Sequence, residues 1–458
     1  MRIKNLNKIN CLLLGLFVIS VIFSRFKVFS IISLIGFLIF LLNIIKEDAL
    51  FYIKYFYIVF VVLATIFACF VIEFGNFFLL EVREFAKYTG SLPLLILSYF
   101  TLIVTINYLD KKYNKKTVKK SFVLSDKSEQ LSFRYISIFT LLLIFLCFIK
   151  VLPHPSFVIG LERADYAIQY GLSGIFGKMS QNIPRLIIFP FVLTIGGKGK
   201  DRFIGLSCLI LSILYYLWVG NKFGAFFEMM CIFLIVLADY LVVRFSTRKI
   251  ISFISKIAIA FVILICVTLL IQSFTYNGTI MTYFSSRIAA EGQVWWRVFD
   301  LSAGKFHLNE ILDELQSFKL GTKDVRESLN AHYGIYKMMY YIAPESYVSS
   351  LISAGYRYTE AGFAIMFYYF SYMGPLIYAI IMGIYFTFIT NRLFIAINKR
   401  QVLRVYLYIR LWLYGTTSFS MFIFSPFFTP MSVAIYVYLL LTHNKNLTVN
   451  IKNVKVKL

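Results

Sequence analysis

Residues 55–72 read YFYIVFVVLATIFACFVI and contain no Asp, Glu, Lys or Arg. A helix that crosses a bilayer needs about 20 predominantly apolar residues, so this stretch predicts a transmembrane helix. The whole chain is similar, since 60% of its 458 residues are hydrophobic and 15% are charged. Average soluble domains are about 45–50% apolar and about 25% charged. The sequence therefore excludes a soluble globular enzyme and predicts an all-α polytopic membrane protein.

Apolar runs of this kind recur along the chain and predict about 12 transmembrane helices. The predicted spans lie near residues 9–23, 28–45, 55–72, 91–109, 135–151, 183–196, 203–219, 224–243, 251–271, 374–390, 405–424 and 428–441. The chain then divides into three regions. Residues 1–271 contain helices 1–9, with a basic loop near 110–134 and an external loop at 152–182. Residues 272–360 form a large periplasmic loop, and residues 361–458 contain helices 10–12 and a basic tail. The run from Glu360 to Tyr372, followed by Gly374-Pro375, predicts a re-entrant or interfacial helix that ends at a break.

The chain carries 46 Lys and Arg against 22 Asp and Glu, a net charge of +24. In a soluble protein this balance would suggest nucleic acid, but in a membrane protein the positive-inside rule explains it. Alternate connections are basic, among them the amino terminus, residues 111–134, residues 392–404 and the tail. We therefore expect both termini in the cytoplasm and no nucleic-acid partner.

Motifs for metal, disulfide or nucleotide chemistry are absent from the sequence. The six cysteines lie in apolar runs without C-x-x-C spacing, which indicates neither a disulfide nor a metal site. There is no H-E-x-x-H, no G-x-S-x-G and no clustered His/Cys set, and the Gly-Lys repeat at 196–200 lacks the Ser or Thr of a phosphate loop. We expect no cofactor and no metal.

The predicted loop 272–360 is long for a connection, and long loops on a rigid scaffold often carry function. Part of it has apolar residues at helical spacing with acidic residues opposite, namely Leu308, Ile311, Leu312 and Leu315 against Glu310, Asp313 and Glu314. This pattern predicts a short amphipathic helix, either lying flat along the outer leaflet or packing on the spans.

The stretch 286–301 mixes guanidinium groups, carboxylates and a tryptophan pair just beyond a predicted span. Guanidinium groups bind diphosphate through two donors. The indoles of Trp295 and Trp296 could stack on sugar rings or belong to an interfacial aromatic belt. Both interpretations place the pair near the membrane surface.

Arg287, Gly292-Gln293 and Trp295-Trp296 together resemble the Arg-x-x-x-x-Gly-Gln-x-Trp-Trp region of O-antigen polymerases, the Wzy-type oligosaccharide repeat-unit polymerases. The predicted topology is also similar, which implies a fold of the GT-C-like, O-antigen polymerase and ligase type. The resemblance implies glycosyl transfer between undecaprenyl-diphosphate-linked oligosaccharides at the periplasmic face of a bacterial inner membrane. It implies no metal requirement, because the lipid diphosphate activates the donor.

Such a reaction needs a base for the acceptor hydroxyl and a cradle for the departing diphosphate. The candidate bases are His332, which resembles the loop histidine of O-antigen ligases, and the carboxylates Glu291 and Glu360. The candidates for substrate binding are Arg163, Lys222, Arg287, Gln293, Trp295, Trp296, Arg297 and Arg357.

Other activities fit a protein of this class. A lipid-linked oligosaccharide flippase has a similar span count, although no repeated half-chain pattern is visible. An O-antigen ligase is the nearest relative in chemistry, and a lipid-phosphosugar glycosyltransferase is a further alternative. A chain-length regulator and a flippase of the same pathway are the expected protein partners of a polymerase.

Overall fold

A computed structural model of the chain describes residues 2–114, 127–159, 166, 169–170, 174–219, 224–244, 252, 288–302, 304–318, 333–353, 356–442, 448–451 and 454–457. Helix accounts for 83% of the structure. The predicted all-α membrane class is therefore confirmed.

The helices before residue 245 form the first part of the bundle. They are α1 (Arg2–Ile22), α2 (Lys27–Glu47), α3 (Ala49–Lys54), α4 (Phe56–Phe74), α5 (Leu92–Asn114), α6 (Lys127–Val151), α7 (Ser156–Ile159), α8 (Gly174–Leu186), α9 (Ile188–Gly196), α10 (Lys200–Trp218) and α11 (Gly224–Arg244). Strands β1 (Phe78–Leu79) and β2 (Glu84–Phe85) pair antiparallel between α4 and α5.

The later helices include the segments of the long predicted loop. They are α12 (Gln293–Ser302), a 3-10 helix (Leu308–Phe318), α13 (Gly334–Ile342), α14 (Glu345–Ser353), α15 (Gly362–Phe370), α16 (Met373–Asn398), α17 (Val402–Met421), a 3-10 helix (Ser425–Phe428) and α18 (Pro430–Leu441). The tail contains an antiparallel hairpin of β3 (Thr448–Ile451) and β4 (Val454–Lys457).

Six helices within the described residues are long and apolar enough to cross a membrane. They are Lys27–Glu47, Phe56–Phe74, Leu92–Tyr113, Leu131–Val151, Lys200–Trp218 and Met373–Asn398. Three shorter apolar helices, Ile9–Ile22, Gly224–Ala238 and Pro430–Leu441, coincide with further predicted spans. The predicted span 251–271 lies outside the described residues except for position 252.

One predicted span is wrong as a continuous helix. Residues 183–196 are divided between α8 and α9, which meet at Ile187. Pro184 and Pro190 flank this junction, and each removes a backbone donor from the helical hydrogen-bond ladder. The regular helix is therefore interrupted at Ile187, where the hydropathy pattern predicts one continuous span.

The connections meet at two opposite ends of the bundle. We call the described residues of 75–91, 288–302, 304–318, 333–353, 356–360 and 422–429 the loop end. There the Tyr358 hydroxyl donates to the Glu81 carbonyl at 2.5 Å and the Trp296 indole to the Lys87 carbonyl at 2.9 Å. We call residues 46–55, 110–114 and 391–404 the basic end, where Lys111 pairs with Glu47 at 3.0 Å. The three basic connections at 46–55, 110–114 and 391–404, which the charge pattern places on one side of the membrane, therefore meet at one end.

The predicted short amphipathic helix is present at Leu308–Phe318, as a 3-10 helix. Residues three apart align in a 3-10 helix, so Glu310 and Asp313 both reach Lys337, at 2.7 and 2.9 Å. The acidic side therefore faces the protein. Leu312, in contrast, is 68% exposed on the outer side.

The predicted short helix before Gly374-Pro375 is confirmed. Helix α15 ends at Ser371, whose φ of 51° lies in the left-handed region, and α16 begins at Met373. The junction places the start of α15 at the loop end and beside the end of α17, where the Ala361 amide donates to the Ser420 carbonyl at 2.7 Å.

Candidate functional site

The structure brings seven of the predicted site residues to the loop end, namely Glu291, Gln293, Trp295, Trp296, Arg297, Arg357 and Glu360. The other four predicted site residues, Arg163, Lys222, Arg287 and His332, lie outside the described residues. The candidate site is therefore built here from the first group.

Gly292 lies directly against helix α4. A Cβ atom at this position would come within 2.7 Å of the Cys69 amide nitrogen and 2.9 Å of the Ala68 Cβ. Real Cβ atoms do not approach so closely, so only glycine fits without a shift of the backbone. This contact with α4 fixes the position of the preceding residue, Glu291, along the axis of the bundle.

Gln293, Trp295 and Trp296 are buried at the loop end, with exposures of 2%, 1% and 0%. The Gln293 amide donates to the Glu81 carboxylate, and the Trp295 indole donates to the Ser91 carbonyl at 3.2 Å. Neither the sugar-stacking role nor the interfacial belt predicted for the tryptophan pair agrees with this burial. Large aromatic side chains gain more by packing in the interior when a carbonyl accepts their N–H.

Arg297 is engaged in an ion network. Its guanidinium pairs with Glu84 and, at 2.8 Å, with Asp300, which also binds Lys87 at 2.8 Å. The predicted role of Arg297 in holding a diphosphate would require exchange of these carboxylates. Its observed role is to hold α12 against the hairpin loop.

Two exposed guanidiniums flank Tyr358. Arg357 is the preceding residue and lies 6.0 Å from the ring of Tyr336, while Arg83 stacks on Tyr347 at 4.3 Å and lies within electrostatic range of the Tyr358 hydroxyl. Arg83 has a φ of 58°, a conformation that non-glycine residues rarely adopt. Sequence reasoning singled out Arg357 and missed Arg83, because the chain separates them by more than 270 residues.

Glu360 has a strained backbone at the start of α15. Its φ of 55° is unfavourable for a residue with a side chain and costs on the order of 1 kcal/mol or more. The following Gly362 lies where a Cβ would meet the Phe419 carbonyl at 2.4 Å. Because α15 packs so tightly on the end of α17, Glu360 cannot relax outward. Its carboxyl is held among the helices.

Glu291 and Glu360 form a pair of carboxyl groups. Burial, together with the negative charge of Glu291, raises the pKa of Glu360 to about 8, although a hydrogen bond from Ser420 favours the ionised form. The Thr359 hydroxyl donates to Glu291 at 3.2 Å. Two carboxylates in one site cannot both ionise easily, so the pair retains a proton near neutral pH.

Three tyrosines from different helices surround this pair. Tyr57, Tyr99 and Tyr378 are buried and lie within electrostatic range of Glu360. Ser420, Thr359 and these tyrosines were not predicted. The hydroxyl-rich run 416–420 in an otherwise apolar helix is the one sequence signal that could have indicated them.

The arrangement is suited to proton transfer at the end of a membrane bundle. A carboxyl pair with pKa values moved apart can accept a proton on one member and donate from the other. Among the described residues, no group of three or more His, Cys, Asp or Glu side chains is placed to hold a metal ion. Arg83 and Arg357, on either side of Tyr358 at the loop end, supply positive charge for an anionic ligand.

Comparisons with known proteins extend over part of this site. No curated protein and no solved structure matches the chain. Residues 329–437 match a family of unknown function, DUF6418. The matched segment includes Arg357, Glu360 and Ser420, whereas Glu291 lies before it.

Proposed function

We propose that the protein polymerises lipid-linked oligosaccharide repeat units into O-antigen or a related surface polysaccharide. Its substrates would be undecaprenyl-diphosphate-linked oligosaccharides at the outer face of a bacterial inner membrane. The observation that carries the proposal is the half-buried Glu291–Glu360 pair, because it supplies a proton acceptor at the end of the bundle. The resemblance around residues 287–296 supplies the substrate class.

In the proposed reaction, the acceptor sugar hydroxyl attacks the anomeric carbon of the donor. A new C–O bond forms there, and the bond from that carbon to the diphosphate oxygen breaks, so the diphosphate leaves with the electron pair. The hydroxyl proton passes to Glu291. Glu360, protonated below about pH 8, carries no charge beside Glu291 and so limits the build-up of negative charge.

The leaving diphosphate needs positive charge beside the carboxyl pair. Arg83 and Arg357 are exposed at the loop end, and Arg287 lies a few residues before Glu291 in the chain. Guanidinium groups suit this task because two parallel N–H donors match two phosphate oxygens. Arg163 and Lys222 remain further candidates from the sequence, and His332 remains a candidate for the base.

The same proposal includes the membrane arrangement. The chain would cross the inner membrane about 12 times in a GT-C-like, polymerase and ligase type of fold, with both termini in the cytoplasm. The loop end would then face the periplasm, where lipid-linked repeat units are joined. The enzyme would need no metal, and a chain-length regulator and a flippase would act beside it.

The test uses a strain that lacks the native gene and carries Glu360→Gln, Glu291→Gln or the matched control Glu345→Gln. Glu345 is an exposed carboxylate on α14 of the same loop region. We expect the two pair variants to lose the lipopolysaccharide ladder and to retain core with one repeat unit, while Glu345→Gln keeps the ladder. Loss of all repeat units would instead indicate a flippase or a ligase. An unchanged ladder in both pair variants would reject the proposed site.

A further inference from the structure

A lateral groove lies between α6, α8 and α17, away from the carboxyl pair. It encloses about 340 Å³ and is lined by Phe139, Leu143, Ile175, Lys178, Met179, Asn182, Leu186 and Tyr406. Phe139 and Ile175 are 57% and 70% exposed at its margin. Most of the lining is apolar, and the groove is open on the surface of the bundle.

The groove lies beside a candidate span and extends toward the basic end, where the lining residue Tyr406 lies four residues after the start of α17. Phe139 and Leu143 belong to the membrane-spanning part of α6, Leu131–Val151, and lie about 8 and 12 residues after its start. Lys178 and Asn182 face the same cavity as these two residues. The polar side chains of α8 therefore lie beside a candidate membrane-spanning helix, on the side of the groove that extends toward the basic end.

Helix α8 carries a polar stripe in this apolar setting. Its polar residues are spaced three and four positions apart, which places them on one face of the helix. They are Lys178, Gln181, Asn182 and Arg185. Arg185 donates to the Asn182 side chain at 2.9 Å, and Asn182 donates to the Lys178 carbonyl at 2.8 Å. These hydrogen bonds link the side chains of the stripe to one another and to the helix backbone. The stripe ends at Arg185, just before the junction with α9 at Ile187.

The cations of this region have no carboxylate partner within the part of the chain that the structure describes. Lys178 and Arg185 form no ion pair there, and neither does Arg410, which follows the groove residue Tyr406 by one helical turn. Charged side chains within a membrane cost several kcal/mol unless they are paired or hydrated, and they usually mark a functional site. An anion that enters the groove would compensate them.

We propose that this groove binds the phosphate group of a membrane lipid. Lys178, which lines the groove, and Arg185, which donates to the lining residue Asn182, hold the phosphate. Phe139, Leu143 and Ile175 contact the first part of the lipid chain. A lipid fits better than a free ion because the groove opens sideways and its walls are apolar. The site does not depend on the proposed glycosyl transfer, since it shares no residue with the carboxyl pair.

The test measures lipid binding to the full-length protein in detergent by native mass spectrometry. The probes are phosphatidic acid, diacylglycerol with the same acyl chains, and inorganic phosphate. We expect phosphatidic acid to bind well above diacylglycerol, and Lys178→Gln or Arg185→Gln to weaken its binding roughly tenfold, since hydrogen bonds to charged groups contribute about 1.5–3 kcal/mol. Ile175→Trp, which keeps both cations but fills the groove, should also weaken it.

Lys150→Gln is the matched control, because Lys150 is an exposed cation on α6 outside the groove. An equal loss in Lys150→Gln would mean that general surface charge holds the lipid, and the proposal would fail. If diacylglycerol bound as tightly as phosphatidic acid, the groove would bind acyl chains without recognising the phosphate, and the proposal would fail. Displacement of phosphatidic acid by millimolar inorganic phosphate would identify a free-anion site and also overturn the lipid assignment.

Discussion

At the basic end, Lys54 and Asp110 are 5% and 4% exposed and form an ion pair of 2.5 Å, whereas at the loop end Glu360 lies beside a second carboxyl group, Glu291. The Lys54–Asp110 pair is completed by Asn391, which accepts from Lys54 at 2.8 Å and donates to Asp110 at 3.0 Å, and by the Tyr55 hydroxyl at 2.8 Å. Opposite charges and satisfied donors make this cluster a structural one.

At the loop end, the charged groups are arranged differently. Like groups are brought together by a strained Glu360 backbone and by tight packing at Gly292. Such a site lowers stability unless it holds a proton, and strain of this kind tends to occur where it serves function. The contrast teaches that burial alone does not identify an active site. The sign and the pairing of the buried charges distinguish the two ends.

The largest expected effect is at the basic end. Asp110→Ala should destabilise the protein by about 3–5 kcal/mol, because it leaves the Lys54 ammonium buried without a counter-charge. Thermal unfolding of the purified protein in detergent measures the change. Glu47→Ala, which breaks the more exposed pair with Lys111, should cost at most about 1 kcal/mol. Equal shifts in the two variants would contradict a structural role for the buried pair.

Glu360→Gln should change how the stability of the protein depends on pH, which distinguishes the loop end from the basic end. Folded Glu360 keeps its proton up to about pH 8, whereas the unfolded chain releases it near the ordinary pKa of 4.5. The folded state binds more protons between these values, so this group's contribution to stability is present at low pH and is lost as pH rises toward 8. The loss should be about 2–4 kcal/mol.

The measurement is thermal unfolding at pH 5 and pH 9. Glu360→Gln should be more stable than wild type at pH 9 and should lack this part of the pH dependence, while Glu345→Gln should follow wild type. Parallel pH profiles for wild type and Glu360→Gln would show that Glu360 does not titrate in this range.

Gly292→Ala tests how the loop end is positioned. The added Cβ would collide with α4, which should cost about 1–3 kcal/mol and should move Glu291 away from Glu360. The matched control is Gly15→Ala in α1, where no atom lies within 4 Å and alanine should stabilise the helix by up to about 1 kcal/mol. If both variants keep full stability and a normal ladder, the close approach at Gly292 has no functional role.

The smallest effect is expected at the surface of the loop end. Lys87 is 48% exposed and pairs with Asp300 and Glu84. Lys87→Ala should therefore cost about 0–1 kcal/mol, and high salt should reduce the difference from wild type. Unfolding curves at low and high salt test this. A loss as large as that of Asp110→Ala would place Lys87 in the structural core of the site.

Sequence patterns predicted well wherever the signal is local. The apolar runs predicted the helices of the bundle, and the alternation of basic connections predicted which of them meet at each end. The Gly-Gln-x-Trp-Trp pattern was visible in the sequence, but the packing of its residues was not. Trp295 and Trp296 were expected at the membrane surface and are covered by the protein, because a sequence does not show which element will cover an aromatic ring.

By itself, the sequence determined the membrane class, the helices and the grouping of their connections, because apolar length and charge are properties of short segments. Only the tertiary structure decided that Glu291 and Glu360 share a site with Ser420, and that Lys178 of α8 lies in a groove beside α6 and α17. The physical reason is that a pKa or an uncompensated charge depends on neighbours in space. Those neighbours are set by helix packing and are distant along the chain.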